Sequence, residues 1–99
     1  MAIPKDTIAV TVRAFATLRE VMDKEVRLDL PAGAQLRLLL AELTGRYQGL
    51  NDRLFADPET LRDYVNILKN GRNIYFLNGL DTRLDDGDLI ALFPPAAGG

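Results

Sequence analysis

The 99-residue chain contains neither cysteine nor histidine. Without cysteine there is no disulfide, thiolate nucleophile, thiolate metal site or redox pair. Without histidine it also lacks the commonest general base and the commonest metal-ligating side chain. Catalysis by the chain's own side chains is therefore not expected. An excess of positive charge is missing as well: 12 Lys and Arg against 14 Asp and Glu leave a formal net charge of −2. Phosphate backbones bind clustered basic residues, so no nucleic-acid partner is expected. No apolar run approaches the roughly 20 residues of a membrane span. The opening Met1-Ala2-Ile3-Pro4-Lys5-Asp6 has no secretory apolar core. The expectation is a cytoplasmic protein with no membrane partner.

What the chain does have is a balanced composition, 47% hydrophobic and 26% charged. That suits one globular domain whose core forms without staples. From Ile8 to Phe15, Ile8, Val10 and Val12 alternate with Ala9, Thr11 and Arg13, the period of a half-buried strand. Glu25 to Leu30 alternates in the same way and halts at Pro31, predicting a second strand paired with the first. Pro31-Ala32-Gly33 is turn chemistry. Beyond it Leu36, Leu39, Leu40, Leu43 and Tyr47 recur at offsets of three and four, which predicts an amphipathic helix that frays and stops around Gly45 and Gly49.

Apolar residues are sparse between Leu50 and Asp63, where a surface segment anchored by Leu54, Phe55 and Leu61 is expected. Tyr64 to Lys69 reads as a strand. Asn70-Gly71 is the dipeptide that accepts positive φ in a tight turn, so a hairpin into Arg72-Asn73-Ile74 follows. After the turn Asp86-Gly87, the run Asp88 to Phe93 is continuously apolar from Leu89 on, as in a central strand buried on both faces. Leu89, Ala91 and Phe93 would share one side, and Ile90 and Leu92 the other. The order strand, strand, helix, strand, strand predicts an α+β fold with one main helix on a mixed sheet. Asp81, Asp85, Asp86 and Asp88 lack the alternating spacing of a calcium loop and read as turn residues, so no metal is expected.

Pro94-Pro95-Ala96-Ala97-Gly98-Gly99 ends the sequence. Two successive prolines neither continue a ladder nor start a helix, so the tail is expected to leave extended. Glycines at its end carry no Cβ and can pass through a narrow channel to another protein's active site. The division expected is a domain over residues 1–93 and an extended, flexible tail over 94–99.

Four stretches carry a family resemblance. They are Val10-Thr11-Val12-Arg13-Ala14-Phe15 with Leu18-Arg19-Glu20, Val65 to Ile74, Leu77-Asn78-Gly79-Leu80-Asp81-Thr82, and Asp86-Gly87-Asp88 through Phe93-Pro94-Pro95 to Gly98-Gly99. The chain resembles the MoaD/ThiS sulfur carriers, most of all the molybdopterin synthase small subunit and the small archaeal modifier proteins.

The resemblance implies a ubiquitin-like β-grasp fold, a mixed four- to five-stranded sheet packed on one main helix. It implies a non-catalytic carrier that binds no cofactor. An E1-like adenylating enzyme uses ATP to activate the Gly99 carboxylate, which sulfur transfer converts to a thiocarboxylate. Gly98, Ala97, Pro95 and Pro94 are the residues a partner would read in the tail, with Phe93 and Leu92 at the partner interface. The acceptor it implies is the molybdopterin synthase large subunit. Alternatives are a sulfur carrier for cysteine, thiamine or tRNA thiolation, and a modifier joined to lysines through Gly99. A plain β-grasp interaction domain with an idle tail stands as the remaining reading.

Overall fold

A computed structural model describes residues 6–95 of the chain. Five strands form one sheet in the order β2-β1-β7-β5-β6. They are β1 (Thr7–Ala14), β2 (Glu25–Pro31), β5 (Asn66–Lys69), β6 (Arg72–Asn73) and β7 (Leu89–Phe93). The main helix α1 (Leu36–Arg46), a short α2 (Leu50–Leu54) and a small hairpin of β3 (Phe55–Asp57) and β4 (Thr60–Leu61) intervene between β2 and β5. Strand β1 pairs antiparallel with β2, Val10 opposite Leu28 and Val12 opposite Val26. Its other edge pairs parallel with β7, which pairs antiparallel with β5. The C-terminal strand is therefore the middle strand of a mixed sheet, and the fold is α+β.

Alternation decides which side of the sheet is dry. Ile8, Val10, Val12 and Ala14 of β1, Leu28 and Leu30 of β2, Ile67 of β5 and Ile90 and Leu92 of β7 are all buried. They share one core with Leu36, Leu39, Leu40 and Leu43 of α1. Because side chains alternate across a strand, this one register fixes the other set on the outer face. The helix has no side-chain N-cap; instead the Leu36 N–H donates to the Thr82 carbonyl at 2.8 Å. The segment before β7 thus completes the start of α1 and satisfies one of its unpaired donors.

Two sequence expectations need correction. The segment after Gly49 is no mere surface stretch: it folds into α2 and the β3–β4 hairpin, and Leu50 and Leu54 are fully buried. The strand expected from Tyr64 begins at Asn66, because Tyr64 takes φ +69° and breaks the extended run. The main helix ends at Arg46, between Gly45 and Gly49 as expected, and Gly49, at φ +92°, opens α2.

Candidate functional site

The site is built around the end of β7 and the tail that follows it. Backbone bonds lock the strand on both edges: Thr11 N–H to the Asp88 carbonyl at 3.0 Å, Phe15 N–H to the Leu92 carbonyl at 3.1 Å, and Asn70 N–H to the Leu89 carbonyl at 2.8 Å. The Asn70 side chain adds two more, its Oδ1 accepting from Leu89 N–H and its Nδ2 donating to Asp88 Oδ1, each at 2.8 Å. Asn70 and Gly71, at φ +51° and +85°, make the expected tight turn, so the β5–β6 hairpin holds the entry of the tail-bearing strand.

Asp88 is 5% exposed and serves as a junction. Its Oδ2 accepts from Asp85 N–H at 2.7 Å and lies 3.4 Å from Lys69 Nζ. Lys69 also reaches Asp85 Oδ2 at 3.1 Å and donates to the Arg83 carbonyl at 2.9 Å. Burial works against the Lys69 charge. The Asp85 hydrogen bond and the nearby Asp88 and Asp85 charges outweigh it, and the amine is held above its ordinary pKa. Asp86 Oδ1 accepts from Ala9 N–H at 2.8 Å. Asp85, Asp86 and Asp88 are thus occupied in fastening the turn, while Asp81 pairs with Arg37 of α1, and among the described residues no group of His, Cys, Asp and Glu could hold a metal.

On the outer face, Ala91 lies in register between Arg13 of β1 and Leu68 of β5, and Phe93 lies opposite Asn66. Leu89 is exposed, while Ala91, Phe93, Leu68 and Phe15 are half-buried. The Phe15 and Phe93 rings stack at 4.4 Å and 12°. The expectation that β7 is buried on both faces is therefore corrected: only the Ile90 and Leu92 side is sealed. Its other side is an apolar strip leading to the tail.

Of the residues expected at the interface, Phe93 borders this strip. Leu92 does not: it is fully buried beneath the sheet and has no surface to present to a partner. Pro94 and Pro95 follow the strand and are half-buried. Ala97, Gly98 and Gly99 lie outside the described residues, as does the part of the expected extended tail from Ala96 on. Phe15 and Arg19 escaped notice as site residues, since only the fold brings Phe15 to Phe93. Also unforeseen are the exposed aromatics Tyr64, Tyr75 and Phe76, which border a groove of about 600 Å³ beside Asn66.

A family model, that of the ThiS family, matches residues 12–99. The chain belongs to the ThiS family. Relatives agree: it is 44% identical over 88 residues to small archaeal modifier protein 3 of Haloferax volcanii, covering 88% of this chain and 95% of that protein. It is 34% identical over 70 residues to the sulfur carrier protein CysO of Mycobacterium tuberculosis, covering 69% and 75%. Among solved structures, SAMP1 from Haloferax volcanii superposes with a TM-score of 0.81 at 35% identity, covering 92% of this chain and 99% of that one. A putative molybdopterin converting factor, subunit 1, from Pyrococcus furiosus gives 0.72 at 32% identity, covering 90% and 99%. The ThiS-family chain thus has the ubiquitin-like β-grasp fold and stands among sulfur carriers and ubiquitin-like modifiers.

Proposed function

We propose that this chain is a cytoplasmic, non-catalytic sulfur carrier whose working group is the Gly99 carboxylate. The observation that carries the reading is the end of β7: the central strand runs straight into Pro94-Pro95 beside a half-exposed apolar strip. A partner seated on that strip receives the tail at the same time. The chain binds no cofactor of its own. An E1-like enzyme supplies ATP, whose α-phosphate the carboxylate attacks, releasing pyrophosphate and leaving an acyl-adenylate. Hydrosulfide displaces AMP and leaves Gly99 as a thiocarboxylate directly; where the donor is a persulfide, its attack leaves an acyl disulfide, and a reducing thiol opens that S–S bond, releasing the thiocarboxylate and forming a disulfide with the donor. With neither Cys nor His, the chain offers no thiol or imidazole to intercept the activated acyl group.

The molybdopterin synthase large subunit is the acceptor we favour, on the likeness to the Pyrococcus molybdopterin converting factor. Incubation with the activating enzyme, ATP and a sulfur donor should add the mass of one oxygen-to-sulfur exchange to the intact chain. An unchanged mass would sink the carrier reading. A second reading, conjugation of Gly99 to lysines, is favoured by the likeness to the archaeal modifier proteins. Its signature is a branched peptide, and because the last trypsin site is Arg83 the branch would carry residues 84–99, not Gly-Gly alone. A sulfur carrier for cysteine, thiamine or tRNA thiolation would acquire the same thiocarboxylate and differ only in the acceptor that consumes it.

A further inference from the structure

Arg19 stands at the root of the tail in an arrangement no other arginine of the described residues has. Its Nε donates to the Ala14 carbonyl at 2.9 Å, and its guanidinium carbon lies 5.6 Å from the centroid of the Phe15 ring. That ring is the one stacked on Phe93, the last residue of β7. A guanidinium has five N–H donors, and the Ala14 bond uses one.

Arg13 pairs with Glu25 at 3.2 Å, Arg37 with Asp81 at 2.8 Å, and Arg53 with Glu20 at 3.2 Å. Arg62 also donates its Nε to a backbone carbonyl, that of Asp52 at 2.6 Å, without a carboxylate partner, so what distinguishes Arg19 is the aromatic ring beneath its fork at the end of β7. Glu20, next to Arg19 in sequence, is thus turned to Arg53. No carboxylate of the described residues pairs with Arg19. Its fork is oriented by a hydrogen bond and a ring, exposed, and without an anion.

A fork held this way meets a carboxylate through two parallel hydrogen bonds at little ordering cost. Arg19 flanks Phe93, six residues before Gly99 in the chain, so the anion sought here is one beside the strand's end and not the acyl-phosphate. The anion belongs instead to the surface that seats around the tail's root.

We propose that Arg19 is a recognition residue for an Asp or Glu side chain of the activating enzyme, placed at the rim of an apolar seat for Phe15, Leu68, Ala91 and Phe93. The proposal rests on the reading that an activating enzyme takes the tail.

The test is carrier-dependent ATP–pyrophosphate exchange by the activating enzyme, run with the full chain and with Arg19→Ala, Arg19→Glu and Arg19→Lys. Arg19→Ala should raise KM for the carrier about tenfold with kcat little changed. Arg19→Glu should raise it about tenfold further by like-charge repulsion, and Arg19→Lys should fall between the wild type and Arg19→Ala. Added salt should narrow the gap between the Glu and Ala variants. Thermal midpoints close to the wild type would show that folding is not what changed. An unaltered KM in Arg19→Ala overturns the proposal. So do equal losses in Ala and Glu, which would mean that Arg19 only packs on Phe15. Failure of the wild-type chain itself to support exchange would overturn the functional reading instead.

Discussion

At the scale of single residues, the buried carboxylate of Asp88 does the most to fix the strand that carries the tail. It accepts from Asp85 N–H and Asn70 Nδ2 and neighbours Lys69, so removing it strands two donors and takes one of two carboxylates from an ammonium that is only 18% exposed. Breaking such a set from one side costs about 2–4 kcal/mol. Asp88→Ala should lower the urea midpoint accordingly, and Asp88→Asn, which keeps an oxygen acceptor, should lose less. Lys69 gives the same junction a pH signature. Its pKa is raised in the folded chain, so its stabilisation is full below the ordinary lysine value of about 10.4 and is lost as pH rises through the higher folded value. The stability advantage of the wild type over Lys69→Met should be constant up to about pH 10 and shrink above it. A gap that stayed constant to higher pH would mean that Lys69 stabilises through packing of its stem rather than through its charge.

Among the elements, α2 and the β3–β4 hairpin separate what the sequence displays from what only tertiary structure decides. The strands β1, β2 and β7 and the helix α1 repeat their apolar residues often enough for a period to be read, and Asn70-Gly71 has one favoured turn geometry. Leu50 and Leu54 are one helical turn apart, and a single repeat is indistinguishable from scattered surface leucines. Their burial depends on the neighbouring helix and sheet. The outer face of β7 divides in the same way: the alternation Leu89, Ala91, Phe93 is visible in the sequence. The stack with Phe15 and the exposure of that side arise from pairing between distant strands. Leu54→Ala tests the corrected reading. A core leucine truncated to alanine costs about 2–5 kcal/mol, whereas a surface anchor costs under about 0.5. A midpoint shift in the larger range places α2 in the core, and a near-neutral change returns the segment to the surface.

On the scale of the whole molecule, the proposed carrier reading puts fold and reactive group in separate parts of the chain. The core runs from Ile8 to Leu92, and its last two members, Ile90 and Leu92, sit on the strand that leads into the tail. Stability is therefore expected to end where β7 ends. A chain stopped at Pro95 should keep the wild-type thermal midpoint to within about 2 °C, because hydrophobic stabilisation follows the apolar area buried and Ala96, Ala97, Gly98 and Gly99 carry almost no apolar side chain to bury. The same chain should support no ATP–pyrophosphate exchange. Ile90→Ala should behave in the opposite way. It opens a cavity against α1 at a cost of about 2–5 kcal/mol, yet at temperatures where the domain stays folded it still presents Gly99 to the activating enzyme. Measuring midpoint and exchange on both variants gives two losses in opposite columns if the carrier reading is right. If truncation at Pro95 lowered the midpoint by several degrees, the tail would be part of the folded body, and the carboxylate could not be a group simply handed to another protein.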